Sequence, residues 1–515
     1  MPGGRFELQR LTAVPIADES SMKAIFRGLS ASVLALTAAG CSTPTPTALD
    51  KPGDVPAAFT APAVKDAPIW PDAAWWNNFK DPELPALEET AQKQNLDIAV
   101  AAAQVLQAEA QAGIAFSALL PNIGLNMGAQ RAGDHTSVTQ YQVGPGNTLT
   151  ATQHRVGTTQ NQFTGSLAAS YELDFWGLNQ DKLRQARESL RAARYAEASI
   201  GLTTTADVAD EYFTVLSLRA RIAIIRANID AARRILTVTQ AKVTNGVSSN
   251  LDLAEQQGTV AQQEAALPPL IEQEREARYA LAILLGRAPE GFDVKAQNLN
   301  GIDSPAVQAG LPSDVLLRRP DVVEAEADLN AAHANVDAAR AAFFPQISLS
   351  GSAGYTSAVA SSLINPASFA WSIGASLVQS IFDGGALKAE DDLALAEQTQ
   401  QIANYRKIVF SAFSDVETAL GQVSSTGDEL KALTEEVRAD AEAFRIAELQ
   451  YREGTIDITQ LLQDQQALFS AEDSLEQTKL ARLEANVSLY RALGGGWTQQ
   501  ADDAAYQPQL DWWPL

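Results

Sequence analysis

The stretch Asn95-Leu96-Asp97-Ile98, running on to Ala118-Leu119-Leu120-Pro121-Asn122-Ile123, falls without gaps on Arg319-Pro320-Asp321-Val322, running on to Ala342-Phe343-Phe344-Pro345-Gln346-Ile347. The offset is 224 residues. Further along it becomes 208: Asp207-Val208 meets Asp415-Val416, Asn245-Gly246 meets Glu453-Gly454, and Leu285-Gly286 meets Leu493-Gly494. An ordered self-match of this length is an internal duplication. It divides the chain into a first repeat over 73–300, a second over 301–497 and a tail over 498–515. A longer surface loop at residues 130–160 of the first repeat accounts for the change of offset.

Each repeat reads helix, strand, strand, long helix, turn, helix. In the first, a helix over about 82–120 stops at Pro121. Strands follow at about 121–133 and 161–174. Ile123, Leu125, Met127 and Ala129 alternate along one, and Phe163, Gly165, Leu167, Ala169, Tyr171 and Leu173 along the other. The second repeat has strands at about 345–357 and 368–380, carrying Ile347, Leu349, Gly351, Ala353 and Tyr355, then Phe369, Trp371, Ile373, Ala375 and Leu377. Period-two alternation over roughly ten residues between small polar residues is the signature of membrane barrel strands. Residues 356–367 form the matching surface loop.

Long helices come next. No proline occurs between Gly177 and Gly246, and at ~1.5 Å per residue such a helix spans roughly 100 Å. Ala206, Ala209, Phe213, Leu216, Ala220, Ala223 and Ala227 recur at spacings of three and four, a coiled-coil seam. Leu218, Ile222, Ile225 and Ile229 form a second stripe beside it. Two seams imply neighbours on both sides, as in a wall. Asn245-Gly246 turns the chain. The return helix, about 248–286, has half the length and contains Pro268-Pro269, which should break or kink it. Two half-length helices stacked end to end would flank each long one.

The chain starts better at Met22 than at Met1. Lys23 and Arg27 precede an apolar run from Leu29 to Ala39, too short to span a bilayer. It ends in Ala38-Ala39-Gly40-Cys41, small residues before the only cysteine of the chain. Residues 1–40 therefore read as a signal peptide, Cys41 as a lipidated first residue and 41–72 as an extended tether rich in Pro, Ala and Thr. The competing reading is an ordinary cleaved leader with a chance Cys.

The balance of 38 Lys+Arg against 62 Asp+Glu, net −24, excludes the basic footprint of a nucleic-acid partner. One Cys and three scattered His (His135, His154, His333) provide no metal set. No phosphate loop or nucleophile turn is present, so no catalytic residue is assigned. Four strands cannot close a barrel, and an open edge is not tolerated in lipid. The smallest closed bacterial barrels have about eight strands, so several copies must combine, cyclic symmetry being the usual solution.

Leu316-Leu317-Arg318-Arg319-Pro320-Asp321-Val322, followed by Ala341-Ala342-Phe343-Phe344-Pro345-Gln346-Ile347-Ser348-Leu349, resembles the hallmark of outer-membrane efflux lipoproteins of the TolC-like, NodT/OprM-like branch. Tyr171-Glu172-Leu173-Asp174-Phe175-Trp176-Gly177, Leu284-Leu285-Gly286-Arg287-Ala288-Pro289 and Tyr451-Arg452-Glu453-Gly454 match family patterns in the same order. The resemblance covers roughly residues 70–500. It implies a mainly α chain with a small transmembrane β part: a homotrimer with a 12-strand barrel, four strands per chain, continued by a coiled-coil periplasmic tunnel. It also implies an anchor in the outer membrane of a Gram-negative bacterium. The partners implied are a periplasmic adaptor (membrane fusion protein) and an inner-membrane RND transporter, with export of small molecules such as drugs. The only cofactor-like group is a covalent lipid on Cys41. A type I protein-secretion duct shares the architecture, and a lipid-anchored periplasmic scaffold is the reading without transport.

In that family the duct closes at its periplasmic tip, just after the turn glycines. The corresponding candidates are Asp252 and Glu255 in the first repeat, and Tyr451, Arg452, Asp457, Gln460, Gln463 and Asp464 in the second. Some relatives carry acidic rings where Gln460 and Gln463 stand, so a cation ring is not expected at those two positions. Three copies of the remaining carboxylates around an axis would repel one another and raise their pKa values. Their alternative role is that of solvated helix-start residues.

Overall fold

The computed structural model describes residues 59, 73–146, 148–305, 312–495 and 497. The leader, Cys41, the tether apart from Phe59, and the 498–515 tail lie outside the described residues.

Helices α1 (Leu84–Gln94) and α2 (Leu96–Ser117) lead into β1 (Asn122–Gly144) and β2 (Thr148–Leu173). Helix α3 (Leu178–Thr244) descends from the sheet and α4 (Asn250–Leu284) returns. The second repeat matches: α5 (Pro312–Arg318), α6 (Pro320–Ala341), β3 (Gln346–Ser357), β4 (Phe369–Val378), α7 (Ala386–Glu453) and α8 (Ile458–Ala492). The long helices have 67 and 68 residues and the return helices 35 each. The sheet is antiparallel throughout, in the order β1-β2-β3-β4.

The segment expected to be one helix over 82–120 is two. Asn95 separates them, its side chain accepting from Asp97 N and Ile98 N as the N-cap of α2. Asn95 Nδ2 also donates to Leu284 O at 2.8 Å, which seats α2 on the C-terminus of α4. The second repeat does the same with different chemistry. Pro320 starts α6, and Arg319 Nη1 reaches Ala492 O at 3.4 Å at the end of α8. Both joints close around a left-handed glycine, Gly286 (φ 66°) and Gly494 (φ 71°). The stacked half-helices are therefore real, and each joint pairs residues that match across the duplication.

Three further expectations are corrected. Strands β1 and β2 run well beyond 133 and begin well before 161, so residues 130–160 form a paired hairpin and not a loop. This segment is mostly polar, with Val138, Tyr141, Val143, Leu149 and Val156 as its only large apolar residues and no long alternation among them, which hid it from an apolar-polar test; its Thr, Val and Tyr residues still favour extended backbone. Pro268 and Pro269 lie inside α4, which continues through both. They are exposed, as are Glu264 and Ala265 one turn earlier, so the carbonyls that lose their partners face solvent. The first α3 seam is buried from Ala206 to Ala220, but Ala223 and Ala227 are exposed; there the second stripe, Ile222 and Ile229, takes over the core.

The largest buried cluster sits at the level of the joints. Trp75 stacks on Tyr490 (centroids 5.0 Å apart), Phe79 meets Phe213, and Leu281, Leu285, Leu489 and Leu493 close around them. Phe59 packs against this cluster and against Val322, Val409, Ala412 and Phe413. Where strands pass into helices, the Trp176 ring stacks on Phe344 and its Nε1 donates to Pro345 O at 2.8 Å. That contact ties the β2–α3 junction of one repeat to the α6–β3 junction of the other.

Candidate functional site

The sheet registers sort every strand residue by face. Ile123↔Ala169, Leu125↔Leu167, Met127↔Gly165 and Ala129↔Phe163 pair directly. Tyr171↔Leu349 and Leu173↔Ile347 continue the same face into β3, and Ile347↔Leu377, Gly351↔Ile373, Ala353↔Trp371 and Tyr355↔Phe369 carry it into β4. One side of the sheet is thus a continuous apolar surface, with Met127 77%, Trp371 69% and Ile373 81% exposed. A patch of this extent on a sheet requires a partner, and lipid is the partner a barrel offers. The opposite side carries Asn122, Gly124, Asn126, Gly128, Thr164, Ser166, Ser170, Ser350 and Gly374. Ser348 bonds Ser376 at 2.7 Å and Ser352 bonds Ser372 at 2.9 Å, so hydroxyls satisfy one another along that wall. A small, polar, nearly uncharged wall wets easily and grips no particular solute.

The far ends of the long helices form the tip. Tyr451, 3% exposed, packs with Ile235, Ala447, Ile458 and Leu461. Its hydroxyl lies 3.0 Å from Thr239 Oγ1. Lys242 Nζ donates to the Tyr451 carbonyl and sits 4.1 Å from the centre of its ring. Tyr451 therefore clips the end of α7 to the end of α3. Thr239 and Lys242 were not singled out from the sequence; their signal was their place one and two turns before the Asn245-Gly246 turn.

The other candidates are local. Arg452 pairs with Glu448 one turn back, at 2.7 Å. Asp457 caps α8, accepting from Gln460 N at 3.1 Å, and Gln460 Nε2 donates to Asp464 Oδ1 at 2.9 Å. The three thus share one helix face, while Gln463 is exposed. Asp252 forms a capping box with Ser249 and accepts from Ser248 Oγ. Those hydrogen bonds hold its carboxyl below the usual range. Glu255 is exposed, one turn on from Asp252. Among the described residues no cluster of His, Cys, Asp and Glu has metal-binding geometry. His333 Nδ1 is bonded to the Gln398 side chain between α6 and α7.

The outer membrane efflux protein family matches residues 87–287 and 311–495, the two repeats in turn. The chain belongs to this family. It is 37% identical to the pyoverdine export outer membrane protein OpmQ of Pseudomonas aeruginosa over 424 residues, covering 82% of this chain and 87% of that one. It is 32% identical to the solvent efflux pump outer membrane protein SrpC of Pseudomonas putida, covering 82% and 87%. The solved structure of the MtrE outer membrane channel of Neisseria gonorrhoeae superposes with a TM-score of 0.74 at 28% identity, covering 86% of this chain and 96% of that one. The apolar side of the sheet is accordingly the lipid face of an outer-membrane β-barrel, the polar side lines the conduit, and the helices form its periplasmic part. This efflux protein is a channel and not an enzyme.

Proposed function

We propose that three copies of this efflux protein close into a 12-strand barrel over a ring of helices, and that this duct is the outer-membrane stage of a tripartite pump for small molecules. The observation that carries the reading is the open sheet. One edge is β1 and the other β4, and neither edge is tolerated in lipid unless a second copy covers it. A periplasmic adaptor and an inner-membrane RND transporter supply the energy and choose the cargo. Relatives named for pyoverdine and for solvents support a duct that does not itself discriminate, as does a barrel wall lined mostly by small polar residues with Glu172 as its one charge within the four-stranded sheet. An acyl chain on Cys41 anchors the N-terminus to the membrane.

At the tip, the Tyr451–Thr239–Lys242 clip holds the duct shut, and Asp252, Glu255, Asp457 and Asp464 give its mouth a negative field that favours cations. Native mass spectrometry on protein extracted from its own membrane tests the assembly. A trimer beginning at Cys41 with bound acyl mass is the expected result; a lipid-free monomer would remove both the closed barrel and the anchor. Single-channel recording tests the gate. Tyr451→Phe gives up a hydrogen bond of about 1 kcal/mol and should raise the open fraction several-fold. Asp252→Asn with Asp457→Asn should lower cation selectivity. Unchanged conductance in both variants rejects the gate assignment.

A further inference from the structure

Strands β1 and β2 stay paired from Asn122↔Ser170 to Gly144↔Thr148, but β3 accompanies β2 only as far as Phe163↔Ser357. Beyond that point residues 131–144 and 148–161 continue as a two-stranded ribbon. At ~3.3 Å per residue it extends roughly 45 Å past the four-stranded sheet. It leaves the sheet at the end opposite the helices, so in an outer-membrane channel with a periplasmic helical part it stands on the outside of the cell.

The pleat carries the two faces of the barrel into the ribbon. Ala129↔Phe163 is the last apolar pair of the lipid face before the ribbon begins, the next position on that face is Arg131, opposite Asn161, and apolar pairs return only at the ribbon's far end, in Tyr141↔Ala151 and Val143↔Leu149. His135, opposite Gly157, and Arg155, opposite Ser137, follow on the same side. The His135 ring lies across Gly157, where a Cβ would come within 3.0 Å of Nδ1. The conduit-side face carries Asp134 and His154, and lower down Glu172. Strands β3 and β4 have no charged residue. Both strand arginines therefore lie on the lipid side and both strand acids on the conduit side, in a chain whose net charge is −24. His135 and Arg155 stand further out along the ribbon, and Arg131, the first position past the apolar rows of the four-stranded sheet, lies at the depth of the lipid headgroups.

Guanidinium groups at that depth match phosphate, which they engage through paired N–H donors. We propose that the Arg131–His135–Arg155 face of the ribbon docks on the phosphate groups of lipid headgroups in the outer leaflet, securing the channel at its outer rim. All three side chains are exposed, so replacing them leaves the fold intact.

The test uses full-length protein extracted in mild detergent. Binding is measured to phosphatidylcholine vesicles containing lipid A, dephosphorylated lipid A, or neither. One basic residue near an anionic surface is worth about fivefold in partitioning, so Arg131→Gln with Arg155→Gln should weaken lipid A binding about 30-fold. Asp134→Asn should leave it unchanged, and raised salt should shrink the difference. Equal binding of dephosphorylated lipid A, or wild-type binding by the double variant, overturns the proposal. Full displacement by millimolar inorganic phosphate would assign the face to free phosphate instead of a lipid surface. A double variant that alters only the oligomer mass would assign it to contact between copies.

Discussion

Four glycines occupy matching places in the two repeats with almost one backbone conformation. Gly246 (φ 70°) and Gly454 (φ 75°) stand at the tip turns, Gly286 (66°) and Gly494 (71°) at the helix joints. What separates the pairs is the space a methyl group would meet. At Gly246 and Gly454 an added Cβ has nothing within 4 Å, whereas at Gly286 it would lie 2.0 Å from Gln94 O and at Gly494 2.5 Å from Arg318 O. Alanine at a tip glycine therefore meets only the left-handed penalty, about 1–2 kcal/mol. At a joint the backbone of the next helix must also retreat. That retreat pulls on the Asn95–Leu284 or Arg319–Ala492 hydrogen bond, worth about 1 kcal/mol each. It also loosens the packing of Leu285 and Leu493, which are essentially fully buried in the largest core cluster. Gly286→Ala and Gly494→Ala should cost roughly 3–5 kcal/mol, against about 1–2 for Gly246→Ala and Gly454→Ala. Thermal loss of the helical circular-dichroism signal in detergent ranks the four variants. Equal midpoints for Gly454→Ala and Gly494→Ala would refute the idea that the joints are closed by backbone contact.

Two further outcomes follow from the joint region. Both carboxylate oxygens of Glu88 and Oδ1 of Asp210 are buried without a hydrogen-bond partner. Burial first, then Glu484, lifts Asp210 to about 8, with Arg491 opposing, and burial then Asp210 lifts Glu88 well above its ordinary value. The unfolded chain gives up these protons near pH 4 while the fold keeps them, so Asp210 makes stability fall as pH rises from about 4 to 8, and Glu88 acts in the same direction. Asp210→Asn should flatten that slope and stabilise the protein at pH 8 by up to about 6 kcal/mol; a melting midpoint that tracks wild type at every pH would reject the buried-acid assignment. Asn95→Ala loses both the cap and the joint bond, about 2 kcal/mol. Asn95→Asp keeps the cap but sets a carboxylate against Leu284 O, and should rescue none of the loss in urea midpoint; full rescue would mean the joint bond has no weight.

What the sequence made legible was whatever repeats or alternates. The offset of 224 changing to 208 located both repeats, and alternation located the apolar positions of each strand, which the registers then bring onto one face. Proline-free length and the two seams gave α3 its extent. The ribbon escaped notice because its pairing is made by backbone, and a mostly polar ribbon with Val138, Tyr141, Val143, Leu149 and Val156 scattered over both faces leaves too short an apolar alternation to read. Pro268-Pro269 do not break α4 because the effect of proline in a helix depends on where the freed carbonyls point, and on the exposed side of α4 water is available. Asn95 was read as part of a match and not as a cap, since its second bond, to Leu284, joins residues far apart in sequence. The same distance hid Thr239 and Lys242 as partners of Tyr451. Asp252 and Asp457, singled out as tip candidates by the family resemblance, cap their own helices, the helix-start role read as their alternative.

The distribution of core along the helices bears on where such a duct gives way. Both joints, the Trp75–Tyr490 stack and the buried acids occupy one belt, and the cluster there draws on α1, α3, α4, α7 and α8 together with Val315 of α5. The tip cluster holds Ile235, Ala447, Tyr451, Ile458 and Leu461 as its buried members, from three helices only. Local opening takes the free energy of the contacts it breaks, so the region with least burial opens first. A long helix held at the belt is a lever with a fixed point: a small rotation about the belt becomes a larger displacement at an end tens of ångströms away. The belt would have to lose its aromatic stack and two helix joints to move by the same amount, whereas the tip gives up one hydroxyl pair, one lysine contact and a few apolar side chains. The difference follows from burial along α3 and α7 and does not depend on which tip carboxylates are charged. Under the proposed gating, the movable part is at the turns of the duplicated helical hairpins and the fixed part at their joints.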